Sequence, residues 1–214
     1  MLKGVIFDMD GVIVDSEEFI CEAAIRMFAE HGITVHPEDF IPFIGAGENR
    51  YIGGPAEKYG FPINLEQDKA RTYKIYGEFV RYKLKPLPGA VEFVNKCKDR
   101  GLKVALASSA DEIKIEINLS EIRLPWETFD AVVTGLDVER TKPDPEIFLL
   151  AAEKLGLSPS ECLVVEDAVN GVEAAKAAGA KCLALTTSFR TDELDGADWF
   201  APNLAYVPEE VLEW

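Results

Sequence analysis

Apolar positions along this chain fall into short blocks of two kinds. Five runs rich in β-branched residues are typical of buried parallel strands, at residues 5–7, 104–107, 131–134, 163–165 and 182–187. Between the later runs apolar positions recur at helical spacing, over residues 90–99, 145–155 and 172–178, and each stretch ends near a glycine. Strands that alternate with helices at this pitch predict an α/β fold with a doubly wound parallel sheet.

The interval between the first two predicted strands has a different pattern. No strand-like run occurs there, whereas residues 17–30 and 65–83 have the periodicity of amphipathic helices, separated by a glycine-rich stretch at residues 45–54 that we predict as a turn region. A structureless loop of this length is uncommon in a compact domain, so we interpret the segment as an inserted helical domain. This predicts a core of residues 1–16 and 86–214 and a helical cap of residues 17–85.

Residues 113–119 fit two interpretations. Ile113, Ile115, Ile117 and Leu119 alternate as in a strand. The length of the segment and its position after the strand at residues 104–107 favour a helix, which is our prediction.

Composition excludes several functions. With 214 residues, 48% of them hydrophobic, the chain can bury the core of one large domain with a modest insertion. The formal net charge of −16 argues against a basic face for nucleic acid or an anionic membrane. Four scattered cysteines and two histidines argue against structural zinc and a disulfide scaffold, and favour reduced thiols. Without an apolar run of membrane-spanning length, and with no room for a signal peptide before the first strand, we expect a cytoplasmic protein. We also expect it to be a monomer.

The first predicted strand ends in two carboxylates one residue apart, Asp8 and Asp10, followed by a glycine. In open α/β sheets ligands bind beyond the carboxyl ends of the strands, so both side chains are expected at a site. Carboxylates this close repel each other unless a cation neutralises them or one is protonated, and Mg²⁺ takes oxygen ligands of this kind. The simpler interpretation is an acidic turn, and the Asp-x-Asp-Gly pattern alone favours neither.

Polar side chains suited to phosphoryl transfer follow three other predicted strands. They are Ser108 and Ser109, then Lys142, then Glu166 and Asp167. Taken singly, a serine here is more often a helix cap, a lysine is more often solvated, and an acidic pair complements a helix N-terminus about as often as it forms a site. Together they would have to fall by chance on one edge of one sheet, which favours a common site.

In this order the motifs resemble those of haloacid dehalogenase-like (HAD) hydrolases, in particular the helical-cap subfamily that includes β-phosphoglucomutase and CbbY-like phosphatases. They read FDMDGV at residues 7–12, ASS at 107–109, TKPDPEIF at 141–148 and VEDAVNG at 165–171. The resemblance implies a Rossmann-like HAD core with a helical cap, and a Mg²⁺-dependent phosphatase acting on a small phosphorylated metabolite through an aspartyl-phosphate. Residues 45–48, 108–111 and the region of Lys114 further resemble the HAD domain of some plant chloroplast suppressor-of-quenching proteins.

The resemblance also implies a role for each acidic residue. Asp8 would be the nucleophile, and Asp10 would act first as general acid and then as general base. Mg²⁺ would be held by the Asp8 carboxylate, the Asp10 backbone carbonyl and Asp167, with Glu166 in or near the ligand shell.

The resemblance assigns the transferring phosphoryl oxygens to Ser108, the Ser109 backbone and Lys142. An acidic protein can hold a phosphate in this way if metal, lysine and backbone dipoles converge at one point. Haloacid dehalogenation is disfavoured by Asp10, because that reaction has no alkoxide to protonate. The expected partner is a small-molecule phosphate ester.

The alternative activity is that of a β-phosphoglucomutase-like sugar-phosphate mutase. Mutases that resemble this chain grip a second phosphate with cations, whereas the matching positions here hold Glu48, or Arg50 after a shifted alignment, and Asp111. Carboxylates at these positions would repel a second phosphate, although Arg50 or Lys114 could supply a displaced grip. We therefore predict a hydrolase of a monophosphate, with Glu48 and Arg50 as substrate-binding residues.

Two other classes of protein share part of the pattern. A phospho-accepting receiver domain combines a doubly wound sheet with acidic pairs, Mg²⁺ and a lysine, but it is shorter, lacks the helical insertion and carries its acceptor aspartate on a later strand. The second class is a HAD protein that has lost its catalytic activity and acts as a scaffold. The complete set of motif residues argues against this interpretation. The sequence does not identify the ester itself, because in this family specificity lies in the cap.

Overall fold

A computed structural model describes all 214 residues, and its centre is a six-stranded sheet. The strands are β1 (Gly4–Phe7), β2 (Lys103–Ala107), β3 (Ala131–Val133), β4 (Cys162–Glu166), β5 (Lys181–Leu185) and β6 (Trp199–Ala201). They lie in the order β3-β2-β1-β4-β5-β6, and every neighbouring pair is parallel. The predicted α/β class with a doubly wound sheet is confirmed.

Seven α-helices accompany the sheet. They are α1 (Glu17–Glu30), α2 (Glu48–Lys58), α3 (Leu65–Val80), α4 (Ala90–Asp99), α5 (Glu112–Glu121), α6 (Glu146–Leu155) and α7 (Val169–Ala177). The first three lie between β1 and β2 in the chain, where α1 packs mainly on α3, and they form the predicted helical insertion. The boundaries at residues 16/17 and 85/86 stay a prediction.

Alternation along the strands divides the core into two layers. Val5 and Phe7 belong to one hydrophobic cluster, and Ile6, which points to the other face of the sheet, belongs to a second. Helices α4 and α5 cover the first face, and α6 and α7 cover the second. The first cluster continues into the insertion through Phe28 and Tyr76, so the sheet and the cap are joined by buried apolar contacts.

The prediction of a turn over residues 45–54 is wrong for most of that stretch. The turn ends at Gly47, whose φ is +84°, and helix α2 begins at Glu48. Gly54 lies inside this helix, where the ring of Phe43 packs against it. A Cβ on residue 54 would lie 2.1 Å from that ring, so only a glycine fits there. The glycine therefore serves close packing, which composition alone does not distinguish from a turn.

Two further differences concern short elements. Strand β6 was not predicted, because it has three residues and lies half-exposed at the sheet edge, where no apolar run is needed. Residues 113–119 lie in helix α5, so the helical interpretation is confirmed, and Ile115 and Leu119 face the core. None of the helices combines the length and the apolar character required to cross a membrane.

Candidate active site

The carboxyl ends of β1, β2 and β4 meet at one edge of the sheet and bring the predicted residues together. The strands are in register there, with Phe7 opposite both Leu106 and Val165. A cavity of about 160 Å³ opens at this edge. Eight of the nine predicted site residues line it, namely Asp8, Asp10, Glu48, Ser108, Ser109, Lys142, Glu166 and Asp167.

Lys142 lies at the centre of this group, although it comes from the connection between β3 and α6. Its Nζ donates to Asp8 Oδ1 at 2.6 Å and also to Glu166 Oε1, and the side chain is almost fully buried. Burial by itself lowers the pKa of Lys142, but attraction to Asp8 and Glu166 outweighs burial and raises it above its usual value. The lysine is therefore a fixed positive charge against the β1 carboxylate.

Three buried carboxylates crowd around one point. Oxygens of Asp8, Glu166 and Asp167 all lie within 4.8 Å of one another. Burial raises the pKa of Asp8 to about 7 against the pull of Lys142, and burial together with Glu166 raises that of Asp167 well above its usual value. A single ammonium cannot neutralise three carboxylates, so the set of hard oxygen ligands fits a divalent cation such as Mg²⁺.

Two motif glycines provide the space for these carboxylates. A Cβ on Gly11 would lie 1.8 Å from Asp167 Oδ2, and the φ of Gly11 is +73°, which favours glycine in any case. A Cβ on Gly171 would lie 2.0 Å from Glu166 Oε1. The acidic cluster therefore needs a glycine at both positions.

Asp10 faces both the core and the cap. The hydroxyl of the fully buried Ser16 donates to Asp10 Oδ1, and Lys114 Nζ lies 3.1 Å from Oδ2. The same Nζ lies 3.4 Å from Glu48 Oε1, so Lys114 joins a core carboxylate to one from the cap. Sequence reasoning did not find this role for Lys114, because nothing in α5 indicates which way a lone lysine points.

Ser108 and Ser109 follow β2 and precede α5, which begins at Glu112. The Ser108 hydroxyl accepts a hydrogen bond from the Ala110 backbone N–H at 3.2 Å, which holds the turn in place. Both serines line the cavity, where a hydroxyl group can donate a hydrogen bond to a phosphate oxygen.

Of the two cap residues predicted to bind substrate, one lies inside the cavity and one lies outside it. Glu48 is buried and lines the cavity, whereas the structure places Arg50 on the surface, where it pairs with Glu57 at 3.0 Å. Glu17 and Tyr51 also line the cavity and were not predicted. Tyr51 lies one helical turn after Glu48, so the signal becomes visible only once residues 48–58 are known to be a helix.

Comparison with known proteins agrees with this geometry. The family model for haloacid dehalogenase-like hydrolases matches residues 2–179. The chain therefore belongs to the haloacid dehalogenase-like hydrolase family. The match confirms the resemblance drawn from the four motifs.

Three relatives illustrate the similarity. SUPPRESSOR OF QUENCHING 1, a chloroplastic protein of Arabidopsis thaliana, is 45% identical over 195 residues, and the match covers 87% of this chain but 18% of that protein. A phosphorylated carbohydrates phosphatase of Thermotoga maritima is 36% identical over 187 residues, which cover 83% of this chain and 82% of the relative. The crystal structure of CbbY from Rhodobacter sphaeroides in complex with phosphate shares the fold, with a TM-score of 0.89 at 23% identity over 100% of both chains.

Since one relative is named as chloroplastic, the cytoplasmic localisation of this chain stays a prediction. The monomeric state likewise stays a prediction.

Proposed function

We propose that this protein hydrolyses the phosphate monoester of a small metabolite through an aspartyl-phosphate on Asp8. The observation that carries the proposal is the 2.6 Å contact between Asp8 and the buried Lys142, at the sheet edge where Ser108 and the acidic cluster meet. The chain is a phosphoric monoester hydrolase of the HAD family, and the name of its Thermotoga maritima relative supports a phosphorylated carbohydrate as substrate. Release of inorganic phosphate from p-nitrophenyl phosphate with Mg²⁺ tests the activity.

The first chemical step would be an in-line attack by an Asp8 carboxylate oxygen on phosphorus. The new O–P bond forms as the bond from phosphorus to the ester oxygen breaks, and Asp10 gives its proton to the departing alkoxide. Lys142 and the Ser108 hydroxyl lie where they can bind the phosphoryl oxygens and offset their charge.

The second step would regenerate the carboxylate. Asp10, now deprotonated, takes a proton from a water molecule that attacks phosphorus, and the bond between phosphorus and Asp8 breaks to release inorganic phosphate. The contacts of Asp10 with Ser16 and Lys114 hold its carboxylate on the side of the cavity where an alcohol would leave.

The residues that would hold Mg²⁺ are Asp8, Asp167 and the Asp10 backbone carbonyl, with Glu166 beside them. When bound, the ion supplies positive charge that neutralises the transferring phosphoryl group. Glu166 is already committed to Lys142 and to the backbone N–H groups of Asp167 and Ala168, at 2.8 and 2.9 Å, so its main contribution is to orient the others.

Mg²⁺ is expected to raise the melting temperature of the protein, because an ion that binds only the folded state stabilises it by about 2.7 kcal/mol at a hundred times its Kd. The shift should be larger near pH ~8 than near pH ~6, since protons compete for Asp8, whose pKa is raised to about 7. Asp167→Asn should lose most of the shift, and Asp195→Asn, an exposed control, should keep it. Thermal unfolding with and without Mg²⁺ measures both. An undiminished shift in Asp167→Asn would place the ion elsewhere.

Asp10→Asn is expected to impair alkyl esters most, because an amide cannot donate the proton that an alkoxide needs. The loss should be about 10²–10⁴-fold for an alkyl phosphate and much smaller for p-nitrophenyl phosphate, whose leaving group departs unprotonated. Single-turnover phosphorylation of the enzyme by each ester measures the step directly. Equal losses for the two esters would remove the acid role from Asp10.

The mutase alternative has no support from the cap contacts. Arg50 pairs with Glu57 on the surface, and Asp111 pairs with Lys69 at 2.6 Å. Lys114, the one cation on the cap side of the cavity, is engaged by Asp10 and Glu48. A second phosphate would therefore meet carboxylates rather than free cations.

A further inference from the structure

The cap side of the cavity has a chemical character of its own. Asp8, Ser108 and Lys142 mark the end that would hold the phosphoryl group, so the alcohol part of a substrate must occupy the opposite side. That side is lined by polar Glu17, Glu48, Tyr51 and Lys114, with apolar Phe43 and Ile44 beside them.

Three polar atoms on this side make no hydrogen bond of good geometry, although the Tyr51 hydroxyl lies close to the Glu17 carboxyl. They are Glu17 Oε1, Glu48 Oε2 and the Tyr51 hydroxyl, all of them buried. Glu48 and Tyr51 are only 7% and 5% exposed. A buried polar group without a partner is destabilising, and more so if it is charged, so these positions are suited to receive polar groups from a ligand. Two of the three atoms are carboxylate oxygens, which when ionised accept hydrogen bonds and cannot donate them.

The charges on this side are unequal. Lys114 is the one ammonium, and it faces three carboxylates, those of Asp10, Glu17 and Glu48. Burial, opposed by Lys114, raises the pKa of Glu17 to about 7 and raises that of Glu48 above its usual value. Both carboxylates are therefore short of positive charge, and the second oxygen of Glu48 has no donor.

We propose that the leaving group of the substrate is rich in hydrogen-bond donors and carries no negative charge, and that Glu17, Glu48 and Tyr51 select it. This rests on the phosphatase activity proposed above and narrows it. The donors would be the hydroxyl groups of a neutral sugar or polyol, or an ammonium group on the same kind of skeleton. A second phosphate or a carboxylate on the substrate would face Glu17 and Glu48 and be rejected.

The test compares esters that differ only in the alcohol part. kcat/KM is measured for glucose 6-phosphate, glucosamine 6-phosphate and 6-phosphogluconate, and for glycerol 3-phosphate against 3-phosphoglycerate. In each series that the enzyme hydrolyses, the carboxylate-bearing ester should be poorer by about 100-fold or more, because like charges in a buried site cost several kcal/mol. The ratio of glucosamine 6-phosphate to glucose 6-phosphate then distinguishes ammonium from hydroxyl recognition.

A matched pair of variants connects the preference to the cavity. Glu48→Gln keeps the size of the side chain and removes its charge, and it should reduce discrimination against the carboxylate-bearing ester by about tenfold. Glu57→Gln, on the exposed part of the same helix, should leave the ratio unchanged. Because both readouts are ratios, a general loss of activity does not mimic the effect. Tyr51→Phe, which should lower kcat/KM for the donor-bearing ester more than for p-nitrophenyl phosphate, serves if Glu48→Gln does not fold.

Two results would overturn the inference while leaving the phosphatase proposal intact. One is equal or better hydrolysis of the carboxylate-bearing esters, and the other is turnover of p-nitrophenyl phosphate alone, whose leaving group carries no donor. Absence of phosphate release from every ester, p-nitrophenyl phosphate included, would instead remove the proposed function on which the inference rests.

Discussion

Asp8→Asn is expected to abolish phosphate release, with a fall in kcat of at least about 10⁴-fold. An amide is a poor nucleophile toward phosphorus, and its position next to Lys142 cannot compensate for the lost carboxylate. The measurement is the rate of phosphate release from p-nitrophenyl phosphate at saturating Mg²⁺. Acid-quenched protein examined by mass spectrometry should show a phosphoryl adduct in the parent enzyme and none in the variant.

The fold should survive this substitution. Asp8 is one of three crowded carboxylates, and its pKa is raised to about 7, which shows that burial disfavours its charge. A neutral side chain relieves that repulsion, so the melting temperature without Mg²⁺ should be equal or higher. Asp99→Asn, an exposed aspartate at the end of α4, is the matched control and should keep full activity. Turnover by Asp8→Asn near the parent rate would refute the nucleophile assignment.

Lys142→Met is expected to have the second largest effect, because it damages both stability and activity. Removal of the ammonium leaves Asp8 and Glu166 buried without compensation, and loss of one partner of a buried ion pair costs about 3–5 kcal/mol. The activity should fall by about 10³-fold or more, since charge neutralisation at the phosphoryl group is removed as well.

Chemical denaturation and p-nitrophenyl phosphate turnover, measured on the same preparations, report the two effects of Lys142→Met. Lys74→Met on the exposed face of α3 is the control and should change neither. Part of the lost stability should return as the pH is lowered from above ~7, because the variant protonates Asp8 at a higher pH than the parent once the lysine no longer lowers the pKa of that carboxyl. Unchanged stability together with unchanged activity would mean that the contact has no functional role.

The sequence was sufficient for the part of the site that strands position. Asp8, Ser108 and Glu166 lie at strand ends, and a parallel sheet has one edge where such ends meet, so their proximity follows from topology alone. The position of Lys142 is harder to predict, because this residue lies in the loop between β3 and α6. Only the motif around it indicated that its side chain points into the site. The α/β class was predictable because strands β1 to β5 are largely buried and therefore mostly apolar.

The cap was less predictable, because the positions of its residues are determined by side-chain packing rather than by the topology of a sheet. Gly54 indicated a turn by composition, yet the ring of Phe43 requires a glycine inside a helix. Because residues 48–58 were not predicted as a helix, the sequence did not indicate that Glu48 and Tyr51 lie on the same helical face. Arg50 was therefore predicted to bind substrate alongside Glu48. Lys114 contacts Asp10 of the core and Glu48 of the cap, so its direction depends on tertiary packing that no local sequence pattern indicates.

Gly11 and Asp167 lie far apart in the chain, yet they occupy a single volume. The space that any other side chain at position 11 would fill is taken by the carboxylate of residue 167. The first and last motifs therefore form one steric unit, in which a side chain at position 11 requires that the carboxylate of residue 167 move or be lost. A residue other than glycine at position 11 would also have to tolerate the positive φ there, so a relative that carries one would mark a lineage in which the acidic cluster has been abandoned.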